Sequence, residues 1–420
     1  MRKLTLNVST TKTYKILFIL YVLVVYYFKL FELTYSLTVL LSVLLLPMVR
    51  ISKFTFELVL LLFLILLTSV ISSFYYGFEA FDFLKGILYF TKPILMILVG
   101  YAFCIKINDK NFIFKFIIYV SMLFALQHIF IVAKWFYLDD ISLNYLRYLG
   151  GKSNIIEFFG LVFLLSQKRL NLLFLNKKWT KIGIIILAIS FVFYFSRTQF
   201  VALVVFMFCI YGYTKLSARS ILIGISLIFS IISLFVILNS MNLNRGATGL
   251  EGFLYKIKVA PSEIFDTDIN IENRAELWDK WRSYEAKKAV EQVAEKGAFA
   301  VLFGSGIGGL VDLEIDFMIS GINDRQVPII HNGYAFVYFK AGLLGIFLYL
   351  LFITRLYLKT YARSRKKGYP ETMNNLVGGF ALYLFFISLV ISGIYNVNSL
   401  FPIILGYFLC VNHVTNLNKT

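Results

Sequence analysis

Apolar positions run through this chain in long blocks, and polar positions gather in the gaps between them. The blocks lie near residues 14–30, 33–49, 55–74, 87–105, 112–133, 153–166, 181–195, 198–213, 220–239, 334–357, 376–394 and 398–412. A helix needs about 20 mostly apolar residues to cross the hydrocarbon core, so the pattern predicts about twelve transmembrane helices. The expected fold is an all-α, polytopic integral membrane protein. The first block is followed at once by the second, with no small-residue cleavage site between them, and reads as a retained helix and not a signal peptide.

One gap interrupts the series. Residues 240–330 hold fourteen Asp plus Glu against ten Lys plus Arg. The chain therefore divides into nine membrane helices in residues 1–239, a large extracytoplasmic loop in 240–330, and three further helices in 331–420. Inside the loop, Asn273 is placed to cap a helix whose third position is Glu276. That helix is expected to run to about Lys296, where Gly297 supplies a stop. Trp278, Trp281, Ala289 and Val293 fall on one face of it and charged residues on the other. This pattern suits an amphipathic helix on a membrane surface or over a cavity mouth.

Composition sharpens the picture. The chain is 59% hydrophobic and 15% charged, whereas soluble domains are about a quarter charged. The net charge of +18 would suit nucleic acid if it formed a patch, but Lys and Arg cluster in alternate connections. The clusters are Arg2, Lys3, Lys12 and Lys15; Arg50 and Lys53; Lys106, Lys110 and Lys115; Lys168, Arg169, Lys177, Lys178 and Lys181; Lys215 and Arg219; and Arg355, Lys359, Arg363, Arg365, Lys366 and Lys367. By the positive-inside rule these are cytoplasmic, which puts both termini inside and the large loop outside. The basic balance is a topology signal, and no nucleic-acid partner is expected. Cys104, Cys209 and Cys410 sit in apolar blocks without a pairing, zinc or redox spacing.

Candidate chemistry collects at the outer ends of the blocks. Arg197 tips a turn between two blocks that almost touch. It suits either an interfacial arginine reaching lipid phosphates or a fixed fork for a phosphate or pyrophosphate. Arg274 falls in the first turn of the loop helix, beside N–H groups that attract anions, and equally suits a solvated position. His331, at the junction of loop and helix, can serve as a general base toward a sugar hydroxyl or as a capping or interfacial histidine. Lys92, His128, Glu157 and Lys340 lie inside blocks, where ionisable groups usually face a cavity or a partner. Their shared outward depth, with Arg197 and His331, predicts that they line one cavity open to the outside.

Gly304-Ser-Gly306-Ile-Gly308-Gly309 matches a dinucleotide fingerprint in letters only, because the loop offers no βαβ unit to carry it. It reads better as a turn that lets the backbone bend toward the cavity. No metal-ligand cluster, Ser–His–Asp order or usefully spaced carboxylate pair occurs, so neither metal nor cofactor is expected. A lipid-linked oligosaccharide flippase would share the location, but it predicts two related halves and no long loop. Neither repeats nor interrupted half-helices occur.

Ser196-Arg197-Thr198, Arg274-x-x-Leu277-Trp278, Gly304-x-Gly306-x-Gly308, and His331-Asn332-x-Tyr334 followed by Gly342-Leu-Leu-Gly345 occur in that order. In this, residues 180–360 resemble the O-antigen ligase and O-antigen polymerase superfamily of bacterial surface-polysaccharide assembly. The resemblance implies a metal-independent glycosyltransferase at the outer, periplasmic face of the inner membrane. Its donor would be a polyprenyl-pyrophosphate-linked oligosaccharide. Arg197 and Arg274 would hold and stabilise the leaving pyrophosphate, and His331 would orient or deprotonate the acceptor. Asn332, Tyr334, Lys92, Lys340, Glu157 and Trp278 would contribute to substrate binding. Membrane lipids, a flippase and a chain-length regulator of the same pathway are the expected partners. Divergent, Phe/Ile/Tyr-rich N-terminal blocks and a mildly acidic loop favour the polymerase, which extends a lipid-linked repeat unit. The alternative is the ligase, which moves finished polymer to lipid A core.

Overall fold

The computed structural model describes residues 8–136, 154–172, 174–247, 249–319, 322–362 and 368–417. The sequence places a second long connection, residues 134–152, on the outer side; its Asp139, Asp140, Arg147 and Lys152 lie outside the described residues, as do Arg2, Lys3, Arg363, Arg365, Lys366 and Lys367.

Every apolar block carries a helix. In order these are α1 (Val8–Phe28), α2 (Phe31–Leu45), α3 (Lys53–Tyr76), α4 (Ala80–Ile107), α5 (Phe112–Phe136), α6 (Asn154–Leu165), α7 (Lys177–Phe193), α8 (Arg197–Ile210) and α9 (Ala218–Ser240). Five short elements follow: α10 (Gly249–Lys258), α11 (Ser262–Phe265), α12 (Arg274–Asp279), α13 (Trp281–Glu295) and α14 (Ala298–Phe303). After a hairpin come α15 (Gly333–Leu358), α16 (Tyr369–Ile387) and α17 (Phe401–Leu417). Among the described residues, α1, α3, α4, α5, α9 and α15 are long and apolar enough to cross a membrane, six in all. Others are shorter, α6 having 12 residues.

Helices pair through small residues. α4 runs along α17, and a Cβ at Gly100 would collide with the Ile403 carbonyl while one at Gly406 would collide with that of Ile97. Small residues thus let two backbones approach closely where neither lipid nor core separates them. α15 packs on α3, α16 on α8, and α5 on α6 and α7. α9 stands apart, with Leu222, Ile228 and Phe229 largely exposed and only Leu238 buried.

The two ends of the bundle differ. At one end Lys15 meets Asp109 at 2.8 Å, Lys215 meets Glu371 at 2.8 Å, and Arg355 pairs with Glu57. These pairs include Lys15, Lys215 and Arg355 of the basic clusters noted above. At the other end α3 finishes, Arg197 starts α8, and the loop region returns to the bundle.

Two features of the loop region differ from the sequence expectation. Val311–Ile319 (β1) and Ile322–Val327 (β2) form an antiparallel hairpin, pairing Val311 with Val327. The alternation Val311-Asp-Leu-Glu-Ile-Asp-Phe317 has the period of a strand, so the region is not wholly helical. The expected single loop helix is also divided. Asn273 does cap it, its side chain accepting from Ala275 and Glu276 N–H, but the helix breaks at Lys280 (φ −107°, ψ 17°). There the Lys280 ammonium reaches Asp266, Glu276 and the Asp268 carbonyl at 2.5, 2.8 and 3.0 Å. These contacts tie the corner to the preceding loop.

The Gly-rich turn docks on the bundle. Ser305 N–H donates to Phe339 O, Ile307 N–H to Ser69 O and Ser73 Oγ, and Ser72 Oγ to Gly304 O. Gly304 (φ +84°) and Gly342 (φ +66°) mark the contact: a Cβ at Gly304 would strike the Lys340–Ala341 backbone, and one at Gly342 the backbone of Leu302 and Gly304. α15 is kinked at Gly342 to receive the turn. The turn therefore bends onto α3 and α15 and not toward the cavity described next.

Candidate active site

α8 begins immediately after α7, so Arg197 is held at the first position of a helix with little slack. Its Nη1 donates to the Lys256 carbonyl at the end of α10, and its Nη2 donates to Glu263 Oε2 at 2.6 Å. The other Glu263 oxygen accepts from Arg282 Nη1. One carboxylate therefore bridges two guanidinium groups. Burial pulls the Arg282 pKa below its ordinary value; attraction to Glu263 opposes this, and repulsion from Arg197 adds to it. Arginine remains charged under such shifts.

The three groups line one cavity of about 200 Å³. Much of its remaining lining is apolar, with Val201 and Ala202 from α8, Phe386 and Ile387 from α16, and Leu389 and Val390 from the turn that follows. A charged cluster beside apolar walls fits an amphiphile with an anionic head.

His331 is anchored to the same two pieces of structure. The turn after α16 holds its flanks: Ser392 Oγ donates to Ile330 O at 2.8 Å, and Gly333 N–H donates to Ser388 O at 2.7 Å. α13 holds its ring. Glu285, one helical turn from Arg282, accepts from His331 N–H at 2.8 Å and from Nδ1 at 2.9 Å. Trp281 Nε1 donates to the other Glu285 oxygen at 2.8 Å. Glu285 is 4% exposed and the His331 side chain 56%, so the carboxylate is fixed while the far side of the imidazole faces open space. With Nδ1–H engaged by a carboxylate, Nε2 is the nitrogen free to accept a proton. Residues three apart on a helix have Cβ atoms about 5–6 Å apart, which sets Arg282 beside the Glu285–His331 pair.

The other sequence candidates occupy different places. Arg274 is exposed at the start of α12, makes no hydrogen bond or ion pair among the described residues, and does not line the cavity. The second arginine lining it is Arg282. Trp278 is exposed and stacks on Trp281 with ring centroids 5.1 Å apart. Asn332 caps α15, accepting from Tyr334 and Ala335 N–H. Tyr334 donates to Phe385 O at 2.8 Å and ties α15 to α16.

The four ionisable residues inside helices do not share one cavity, because each is engaged locally. Lys340 donates to the Ile307 and Gly309 carbonyls and holds the Gly-rich turn. Lys92 donates to Thr34 Oγ1 and Val397 O, both at 2.7 Å. Glu157 accepts from Ser190 and from Tyr194 Oη, and His128 Nδ1 lies 2.8 Å from Ser190 Oγ. Buried charge away from water requires such partners, and nearby backbone carbonyls and hydroxyls supply them.

Glu263, Arg282 and Glu285 did not emerge from the sequence. The charged face of the loop helix was visible there, but many of its residues share it. No family model matches this chain, and no curated protein is similar enough to it to count as a match.

Proposed function

We propose that this protein is a membrane glycosyltransferase of bacterial surface-polysaccharide assembly, working as an O-antigen polymerase without metal or cofactor. One observation carries the reading. Arg197 and Arg282 meet in the wall of a largely apolar cavity, and the helix and turn that frame it also fix His331.

In this reading all twelve apolar helices span the inner membrane, both termini are cytoplasmic, and residues 240–330 face the periplasm. The first prenyl units of the donor lie in the cavity. Its pyrophosphate meets Arg197 and Arg282, with Arg282 in the role that the sequence resemblance suggested for Arg274. The acceptor is a second lipid-linked repeat unit whose hydroxyl points at His331 Nε2. That oxygen bonds to the donor's anomeric carbon as the bond from this carbon to the pyrophosphate oxygen breaks. The proton passes to Nε2, and Glu285 stabilises the imidazolium. Charge grows on the departing pyrophosphate, where two preorganised cations stabilise it. Membrane lipids surround the bundle, and the flippase and chain-length regulator of the pathway are its expected partners.

Surface-glycan ladders from a deletion strain test the assignment. Lipid A core bearing a single repeat unit, with loss of the ladder, identifies a polymerase. Bare core with polymer retained on the polyprenyl carrier identifies the ligase instead. An intact ladder with His331→Ala would remove His331 from the mechanism.

A further inference from the structure

Glu263 has no place in the transfer chemistry, yet it occupies the position that the chemistry needs. Both its oxygens are used, one by each arginine, with side-chain exposures of only 16% for Glu263, 21% for Arg197 and 26% for Arg282. The carboxylate stands where a phosphate group would bridge the same two forks. It is delivered by α11, a four-residue helix none of whose residues is buried. Phe265 beside it is 70% exposed. The segment can therefore withdraw without opening the core.

We propose that Glu263 is a specificity-determining residue: a tethered internal anion that keeps singly charged phospholipid headgroups off the arginine pair and yields only to a pyrophosphate. This rests on the function proposed above. A bare pair of arginines over an apolar hollow would suit any anionic lipid, and phosphodiester lipids vastly outnumber any pyrophosphate carrier. A tethered carboxylate competes at an effective concentration in about the millimolar range. A phosphodiester would replace one monoanion by another, gaining little Coulomb energy and losing the tether's advantage. A pyrophosphate brings at least one more negative charge and enough oxygens to engage both forks, so the exchange favours it. No bond forms or breaks in this step. The carboxylate moves into water as the ligand's oxygens take its hydrogen bonds.

The test uses the full-length protein in neutral-lipid nanodiscs, with farnesyl pyrophosphate as probe and phosphatidylglycerol as competitor. Wild type is expected to bind the probe with an affinity that changes less than threefold as phosphatidylglycerol is added. Glu263→Gln is expected to bind phosphatidylglycerol at least tenfold more tightly and to lose probe binding to it by a similar factor. In wild type, hydrogen exchange across 256–266 should rise with farnesyl pyrophosphate and stay unchanged with phosphatidylglycerol; this arm needs no variant to fold. Equal competition in both proteins would overturn the proposal. So would weaker probe binding in Glu263→Gln without any gain of phosphatidylglycerol, which would make Glu263 a strut for the arginines. Either result leaves the proposed function standing, because the probe still binds. Absence of probe binding in wild type and variant alike would overturn both.

Discussion

At the scale of single residues, His331 owes its orientation to Glu285, whose carboxylate accepts from both its backbone N–H and its Nδ1. In the proposed mechanism Glu285 is a positioning residue, so its loss should act on turnover and not on donor binding. Glu285→Gln is expected to lower kcat by about 10²–10⁴ with the donor KM unchanged, and Glu285→Asp to recover part of it, in assays with purified protein and lipid-linked donor. The arginines separate by role in the same assay. Arg197→Ala and Arg282→Ala should each cost about 10²–10³ in kcat, as loss of one charge-stabilising donor does. Arg274→Ala should stay within about tenfold of wild type. Equal losses at Arg274 and Arg282 would contradict the site as drawn. Arg197 and His331 were legible in the sequence because each stands at the junction of an apolar block. Arg282 and Glu285 were not. They belong to a helix with charges on most turns, and only the fold brings Glu263, nineteen positions away, against Arg282.

At the scale of elements, the kinked α15 and the Gly-rich turn act as one joint with Lys340 as its pin. Lys340→Met would leave the Ile307 and Gly309 carbonyls unpaired in a buried site. Each such orphan costs about 1–3 kcal/mol, so thermal unfolding in detergent should shift clearly downward. An unchanged midpoint would show that the turn does not depend on the pin. The α12–α13 corner is held more lightly. Hydrogen bonds from Lys280 keep the Asp266 and Glu276 carboxyls below their ordinary range. A depressed carboxyl contributes above its unfolded pKa and loses that contribution as pH falls through the folded one. The near-ultraviolet circular dichroism of the stacked Trp278–Trp281 pair should therefore hold from about pH 7 to 5 and fade on further acidification. Fading already near pH 6 would point to another group. The helix in every apolar block was foreseeable from hydropathy, and the Asn273 cap from its spacing; the short helices α10, α11 and α14 were not. The hairpin was also readable, since 311–317 alternate strictly, but a region treated as a helical loop hid it. The corner at Lys280 was not readable, because its cause is a contact with Asp266 in another segment.

At the scale of the molecule, the two ends of the bundle predict a sidedness that can be measured. The native cysteines are buried, so a single introduced cysteine reports alone. Asp268→Cys should react with a membrane-impermeant maleimide in intact cells with a permeable outer layer. Leu216→Cys, at a position 79% exposed, should react only after the inner membrane is opened. The reverse pattern would invert the topology. The apolar blocks were legible because lipid demands long apolar runs, and six of their helices are long and apolar enough to cross a membrane. How the four in-helix ionisable residues divide was not legible, Glu157 and His128 meeting through Ser190 while Lys92 and Lys340 are engaged elsewhere, because depth along a helix says nothing about which face of the bundle a residue occupies.

Ser72 and Ser73 on α3 find their partners, Gly304 and Ile307, 232 and 234 residues later in the chain. The turn that frames His331 comes later still, at Ser388 to Ser392. At about 5–20 residues per second, α3 waits roughly ten seconds or more in the membrane before its counterpart is made. The growing chain therefore has no complete site until its penultimate long helix has been synthesised. If the proposed function holds, a nascent polypeptide beside its lipid-linked substrates is inert until it is nearly finished.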